Sequence, residues 1–450
     1  MNIVIIGAGG IGRFVARTLS ENEHNVIVID HDPEKLELAT LDIDVAVRKG
    51  SGTDWQLLDD LLDLSPDFLI ALTNNDEINF VSCSIAKHLG YPRTIARVRD
   101  YRFLNKMRMD FGSIFNVDHF IGPEVLVAND ILKYIVSPGT LQINYFAHGG
   151  VQLSTFRIPN SWRKSEIPLK DLDIPKGIMV GVICRKNGGK TCSVFFPHGD
   201  AVIQPEDEVT FIGESEAMID LHHYLGIVKK STKKAVIVGG SLVAMNLAKL
   251  LEQRRIDTRI IEKDYHRCQL LSEQLPNTTI LHHNGTDLDY FRSEKVQDAD
   301  VFVVCTESDE VNLVSALFGK KLGVEQVITT LSNLSFATVA KENGIDFNIY
   351  PRVTIANYVN TQVMSGNVSS LVTLYPDQAE VIEVVVSVSS KLTGIPLAEL
   401  GPLFPRNMLI SMIESRGRVM VAHGNRIISP GDTVIIITDP KHVSEIEAIF

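Results

Sequence analysis

No stretch of this chain is apolar for long enough to cross a bilayer. A spanning helix needs about 20 consecutive apolar residues. Apolar runs such as Val434 to Ile437 are strand-sized. Cysteine is scarce as well. Five occur, at Cys83, Cys184, Cys192, Cys268 and Cys305, with no CxxC spacing. That argues against a zinc site or a disulfide framework, and sets the expectation of unpaired thiols in a reducing compartment. Positive charge is in deficit, with a formal net charge of −12. A nucleic-acid binder needs a basic surface to release counterions, so nucleic acid is not expected as a partner. One basic run, Lys229, Lys230, Lys233 and Lys234, reads as a solvated linker. The adjacent pairs His222–His223 and His282–His283 point different ways on either element type and read as surface residues, not metal ligands. The opening residues, Met1-Asn2-Ile3-Val4, have no basic segment, apolar stretch and cleavage site, so no signal peptide is expected and the cytoplasm is the expected location.

What the chain does have is itself, twice. At roughly 150 residues per domain its length suggests about three domains, or more if the modules are small. Shifted by 232, Gly7 falls on Gly239, Val4 on Val236, Ala16 on Ala248 and Asp30 on Glu262. Shifted by 233, "GTD" at 52–54 falls on "GTD" at 285–287, Thr73 on Thr306, and "DEINFVS" at 76–82 on "DEVNLVS" at 309–315. At a shift of 228, "PEVLVAN" at 123–129 meets "PRVTIAN" at 351–357, and "IPLKDL" at 167–172 meets "IPLAEL" at 395–400. The order is kept throughout, so the chain is a tandem duplication of about half its length.

Each half divides in two. In residues 2–118, short apolar runs alternate with longer amphipathic ones; strands are expected at Ile3–Ile6, Val26–Asp30, Asp44–Arg48, Phe68–Leu72, Thr94–Val98 and Ile114–Val117. Continuously apolar strands separated by helical patterns mean a parallel sheet covered on both faces, and residues 234–346 repeat the pattern. A helix is expected over 122–136 after a Gly-Pro entry, and again over 350–364. The rest of each half is short and strand-rich, with a helix start expected at "IPLKDL" and "IPLAEL". The expected fold class is α/β: two Rossmann-like doubly wound parallel-sheet domains, each followed by a small α+β domain.

The chemistry lies in "VIIGAGGIG". Gly7, Gly9 and Gly12 stand in G-x-G-x-x-G register, after a strand and at the start of a helix. The first glycine permits a tight turn, the second close approach of a pyrophosphate, the third close packing of helix on strand. The helix N-terminus offers free N–H groups to phosphate. Asp30 closes the second strand, 18 residues beyond Gly12, where a carboxylate accepts hydrogen bonds from ribose hydroxyls and disfavours a 2′-phosphate, so NAD is preferred to NADP. Ser51, Thr73, Asn74 and Arg97 fall at or just past other strand ends, on the carboxyl edge where such sheets bind ligands. Asp76 and Glu77 begin a helix, as first-turn acids do, and recur as Asp309 and Glu310. In the second copy Gly239 keeps the turn, but Ser241 takes the second glycine slot and Ala244 the third, while Glu262 still offers a ribose acceptor. The second site is therefore altered: weaker, tuned to another nucleotide, or empty.

An oxidoreductase needs a proton donor or acceptor beside the nicotinamide and a substrate-positioning cation. His148 and His198 are isolated, and no Ser-His-Asp or HExxH arrangement occurs. The segments "MNIVIIGAGGIGRFVARTL", "VIDHDPEKLE", "ALTNNDEIN" with "IARVRD", and "GIPLAEL…ISPGDTVIIITD" together resemble the RCK (KTN) regulatory domains of potassium channels and transporters, as two complete units over essentially the whole chain. The resemblance implies a Rossmann-like lobe at 1–121, a crossover helix at 122–139 and a small C-terminal domain at 140–228, repeated at 229–349, 350–367 and 368–450. It implies a non-enzymatic regulator, a homo-oligomeric ring (a tetramer) beneath an integral-membrane potassium-translocating subunit, peripheral on the inner face of the plasma membrane. NAD(H), or ATP and ADP, would bind the Rossmann lobes and set the ring's shape. By position the ligand residues would be Gly7, Ala8, Gly9, Gly10, Ile11, Gly12, Asp30, Ser51, Thr73, Asn74 and Arg97, and in the second half Gly239, Gly240, Ser241, Leu242, Val243, Glu262 and Asn284. "GGSLVA" departs from the family's glycine-rich turn. The competing readings are a soluble NAD-dependent oxidoreductase and a free-standing sensor with a non-transport partner.

Overall fold

The computed structural model describes the chain apart from residues 42, 106–107, 138, 187–191, 228–230, 334, 364–367, 376–377, 402–403 and 406, and the side chains of 444, 447 and 448. Lys229 and Lys230 of the basic run lie outside the described residues; Lys234 already belongs to a strand.

In the first half six parallel strands, β1 (Asn2–Ile6), β2 (Asn25–Asp30), β3 (Ala46–Lys49), β4 (Phe68–Ala71), β5 (Arg93–Arg97) and β6 (His119–Ile121), alternate with helices. These are α1 (Gly10–Glu21), α2 (Pro33–Thr40), α3 (Trp55–Asp60), α4 (Asp76–Leu89) and α5 (Phe111–Phe115), and the lobe leads into α6 (Pro123–Val136). The spatial order is β3-β2-β1-β4-β5-β6. An antiparallel sheet follows, of β7 (Thr140–Phe146), β8 (Val151–Arg157), β9 (Ile178–Lys186), β10 (Cys192–Phe195) and β11 (Glu208–Glu214), in the order β10-β9-β11-β8-β7, and then α7 (Met218–Tyr224).

The second half repeats both sheets. β12 (Lys234–Val238), β13 (Asp257–Glu262), β14 (Thr278–His282), β15 (Val301–Val304), β16 (Gln326–Thr330) and β17 (Phe347–Ile349) form a parallel sheet in the order β14-β13-β12-β15-β16-β17. Its helices are α8 (Leu242–Gln253), α9 (Tyr265–Gln274), α10 (Leu288–Ser293), α11 (Asp309–Lys321), α12 (Ser335–Glu342) and α13 (Pro351–Val363). β18 (Val368–Tyr375), β19 (Ala379–Val385), β20 (Met408–Ser415), β21 (Arg418–Val421) and β22 (Thr433–Thr438) form the second antiparallel sheet, before α14 (Val443–Ile449). Corresponding helices begin on corresponding caps: Asp32 and Asp264, Asp54 and Asp287, Asn75 and Ser308, each accepting a bond from a first-turn N–H.

The chain forms two compact units, each drawing on both halves: Met1–Ile135 with Thr232–Val363, and Val136–Ser231 with Met364–Phe450. In the first unit the strand pattern shows how the lobes are covered. Alternate residues of a strand face opposite sides of its sheet. Ile3 and Ile5 of β1 pack with Val15, Ala16 and Leu19 of α1, and with Ile355, Ala356, Val359 and Val363 of α13. Val4 and Ile6 face the other way, onto Phe80, Cys83 and Ala86 of α4. In the second lobe Ala235 and Ile237 meet Leu247, Ala248 and Leu251 of α8, and Val127, Ala128, Ile131 and Ile135 of α6. The halves have thus exchanged helices: α6 covers the second lobe and α13 the first. Tyr134 of α6 stacks on Phe347, with ring centroids 4.2 Å apart, and Asn22 Nδ2 donates to Asn360 Oδ1 at 3.1 Å. In the second unit the two antiparallel sheets share one core, built from Phe146, Val151, Leu153 and Val182 with Val381, Met412, Ile435 and Ile437.

Some sequence expectations need correction. His222, read as a surface residue, is buried, its ring edge-on to Phe156 with centroids 5.0 Å apart. Ile114–Val117 is not a strand: Asp110 caps the short helix α5, its carboxylate accepting from Gly112 N, and Asn116 ends it in the left-handed region, so the sixth strand begins at His119. The "IPL" segments start no helix. Each makes one 3-10 turn, Leu169–Asp171 or Leu397–Glu399, held by a bridge, Pro168 to Val202 or Pro396 to Ile427, and by the N–H groups of Leu169 and Leu397 on the carbonyls of Ala201 and Arg426. The β9–β10 hairpin also sets Cys184 and Cys192 diagonally across the ladder with Cα atoms 5.7 Å apart, a closeness made by strand register and invisible to a search for CxxC. Cys83, Cys268 and Cys305 are free and buried.

Candidate functional site

The sheet order reverses between β1 and β4, and the loops at the carboxyl ends of these strands part there, leaving a crevice. In the first lobe this crevice is a cavity of about 480 Å³. Gly7, Gly9, Gly10, Ile11, Asp30, Ser51, Thr73, Asn74 and Arg97 all line it. Ala8 and Gly12, from the same sequence-derived set, lie beneath the lining and are buried. Gly7 turns at φ +105°, a left-handed conformation that disfavours a side chain. Gly12 permits contact of helix on strand: a Cβ there would stand 1.8 Å from the Gly7 carbonyl oxygen. Gly9 precedes α1 without any side-chain cap, and a Cβ on it would meet no protein atom within 4 Å. The first N–H groups of α1 are therefore left for an incoming acceptor.

Asp30 is 9% exposed. One of its oxygens accepts from Ala8 N at 2.7 Å and the other from Asp32 N at 3.0 Å, so the carboxylate braces the glycine loop as well as facing the cavity. Across from it Arg97, 7% exposed, donates to Asn74 Oδ1 at 2.6 Å and to Glu124 Oε1 at 3.3 Å. Burial pulls its guanidinium below the usual arginine value and Glu124 opposes that pull; arginine keeps its charge regardless. Ser51 Oγ lies 2.9 Å from Thr53 Oγ1. Asp76 accepts from the N–H groups of Arg99 and Asp100, and Asp309 from those of Ser332 and Asn333, so the recurring acid ties its helix to the loop after the fifth strand.

Sequence reasoning missed Asn79. Fully buried on α4, it accepts from Thr73 N and Thr73 Oγ1 at 3.0 and 2.7 Å, and donates to the carbonyls of Thr73 and Arg97 at 3.1 and 3.0 Å. Asn312 does the same for Thr306 and Thr330. The signal was present in the asparagine common to "DEINFVS" and "DEVNLVS". Asn79→Ala leaves several buried polar groups unmatched and is expected to destabilise the first lobe by about 2–4 kcal/mol, read by calorimetry. An unchanged melting profile would remove Asn79 from this role.

The second crevice, about 580 Å³, is lined by Gly239, Gly240, Ser241, Glu262 and Asn284, with Leu242 and Val243 turned into the packing around α8. Its chemistry differs. Ser241 Oγ accepts from Ala244 N at 3.2 Å, occupying a helix N–H that stays uncapped in α1, and donates to the Cys305 carbonyl at 2.7 Å. Arg267 Nε lies on the Gly240 carbonyl, Gly240 N donates to Glu262, and Glu262 also accepts from Asp264 N at 2.8 Å. Asn284 Oδ1 accepts from Thr286 N at 3.1 Å. Cys305 behind this loop is no nucleophile, because burial pushes its thiol up to about 12.

The chain has relatives among known proteins. The family model of the TrkA-N domain matches residues 3–123 and 235–351, and that of the TrkA-C domain matches 381–450. "Trk system potassium uptake protein TrkA homolog 1" of Methanosarcina mazei is 31% identical over the full length of both chains. The Halomonas elongata "Trk system potassium uptake protein TrkA" is 29% identical over all of this chain and 98% of its own. Among solved structures, the GsuK RCK domain aligns with the whole chain and 94% of its own at 16% identity and a TM-score of 0.62. The GsuK channel bound to NAD aligns with the whole chain and 78% of its own at 15% identity and a TM-score of 0.63. With both halves matched by one domain family and full-length relatives above 30% identity, the chain belongs to the TrkA family.

Proposed function

We propose that this protein is a regulatory subunit of a potassium uptake system, in which a nucleotide bound in the first lobe sets the conformation of an oligomeric ring and so gates a membrane-embedded potassium-translocating partner. The observation that carries this reading is the first crevice: an uncapped helix N-terminus, a glycine turn, a carboxylate at the end of β2 and a buried arginine around one cavity. The full-length relatives named for potassium uptake supply the context, and the GsuK channel bound to NAD supplies the ligand class. Those names describe a transport system and a channel, so the chain acts as a regulator rather than an enzyme. NAD(H) is the first-choice ligand and ADP or ATP the second. Among the described residues no helix is long and apolar enough to cross a membrane. In this reading the protein acts on its partner from the membrane's inner face, as a ring of several copies. A nucleotide moves such a ring only by binding one shape better than another, and a coupling of about 1–3 kcal/mol suffices to change transport several-fold.

Calorimetric titration of NADH, NAD, ADP and ATP into the intact chain tests the reading. NADH is expected to bind the first lobe, and Asp30→Asn to weaken it roughly ten-fold or more. Glu262→Gln should leave that site unchanged. Equal losses from both substitutions would overturn the asymmetry. Potassium flux through the reconstituted partner that ignores every nucleotide would overturn the regulatory role.

A further inference from the structure

The cavity of the first lobe has one wall that does not come from the first half. Arg352, in the first turn of α13, lines it. Its guanidinium lies against the bare Cα of Gly10: a Cβ there would be 3.1 Å from Nη2, 3.4 Å from Cζ and 3.5 Å from Nε. Among the described residues Arg352 makes no ion pair or hydrogen bond. A cation without a counter-charge is thus held beside the N-terminus of α1, which carries a partial positive charge of its own. Arg97 faces the same cavity, its Nε buried and without a partner. Two guanidiniums and the positive end of a helix converge on one cavity; Glu124 balances Arg97 and Asp30 lines the same cavity, but among the described residues no carboxylate pairs with Arg352, and arginine pairs suit phosphate oxygens.

The second lobe has lost each part of this arrangement. By the internal repeat, Leu242 stands where Gly10 does, Thr330 where Arg97 does, and Glu124 where Arg352 does. Glu124 is not directed to the second cavity; it pairs with Arg97.

We propose that Arg352, carried by the second half, is a phosphate-binding residue of the first lobe's cavity, gripping the diphosphate of a nucleotide together with Arg97 and the N-terminus of α1. This rests on the nucleotide reading of that cavity and adds that the two halves read one ligand jointly. The ligand class is a nucleoside diphosphate or dinucleotide; adenosine lacks the group that Arg352 recognises. Because α13 packs directly on α1, the occupant's charge draws together two helices from different halves.

Full-length Arg352→Gln and Arg352→Lys, titrated with NADH, ADP and adenosine at two salt concentrations, test this. Arg352→Gln is expected to weaken NADH and ADP about ten- to a hundred-fold, to flatten the salt dependence of their binding, and to change adenosine binding less than two-fold. Arg352→Lys should retain most of the affinity. Without ligand, the melting temperature of Arg352→Gln should equal or exceed that of the unaltered protein, because a repulsion has been removed. If Arg352→Gln binds NADH and ADP normally while Asp30→Asn does not, Arg352 is no ligand residue and the nucleotide reading stands. A lowered melting temperature with equal loss of adenosine and ADP means that Arg352 only packs, which also overturns the proposal. If the unaltered protein binds none of the three, both readings fall.

Discussion

Valine in place of Gly12 is expected to abolish NADH binding in the first cavity and to unfold its lobe at markedly lower temperature. The first carbon of the new side chain would stand 1.8 Å from the Gly7 carbonyl oxygen, a backbone atom with nowhere to go. Helix α1 cannot back away freely, because Val15, Ala16 and Leu19 anchor it in a core where each is 1% exposed or less. Overpacking ordinary cores costs about 1–3 kcal/mol. A collision with main chain exceeds that, on the order of 4 kcal/mol, or a fall in melting temperature of roughly 10 °C. NADH affinity should drop more than about a hundred-fold, since the helix N-terminus leaves its place. The second lobe supplies the control. Ala244 already fills the corresponding position, fully buried, so Ala244→Gly should cost only about 1 kcal/mol and leave NADH binding in the first lobe intact. Wild-type melting and affinity in Gly12→Val would show that the turn is not set as described.

A second large effect is expected from a residue far along the chain. Val359, on α13, is fully buried among residues of the first lobe's core. Val359→Asp places a carboxylate there without a partner, at a cost on the order of 4 kcal/mol. The damage should appear in the first lobe although the substitution lies in the second half. Amide exchange would show it, with β1 and α1 losing protection before β12 and α8 do. The reverse order would mean that each lobe keeps its own crossover helix.

Much of this was legible beforehand. The strands of both parallel sheets were written as continuous apolar runs, and the duplication fixed which residues correspond. The glycine register pointed to the crevice that the first lobe opens at β1 and β4. What was not legible follows a physical pattern. The apolar face of α13 announces that it is buried, but nothing in its period says on which of two similar lobes. Arg352 was therefore unreadable as a wall of the first cavity, being more than 300 residues from Gly10 in sequence. Ile114 to Val117 read as a strand because apolar content outweighed the Asp110 cap, and Cys184 met Cys192 only through the register of a hairpin. Ser241 was suspected for its Cβ; that its hydroxyl would cap α8 depended on rotamer and loop geometry.

The exchange of α6 and α13 gives the first unit the form of a domain-swapped pair whose two members are a single polypeptide. Separate chains joined in this way come apart on dilution. Here the link holds each partner at an effective concentration in the millimolar range or above, so the pairing is indifferent to expression level. Translation also fixes the ratio of the two lobe types at one to one, and no copy can assemble from two first halves by chance.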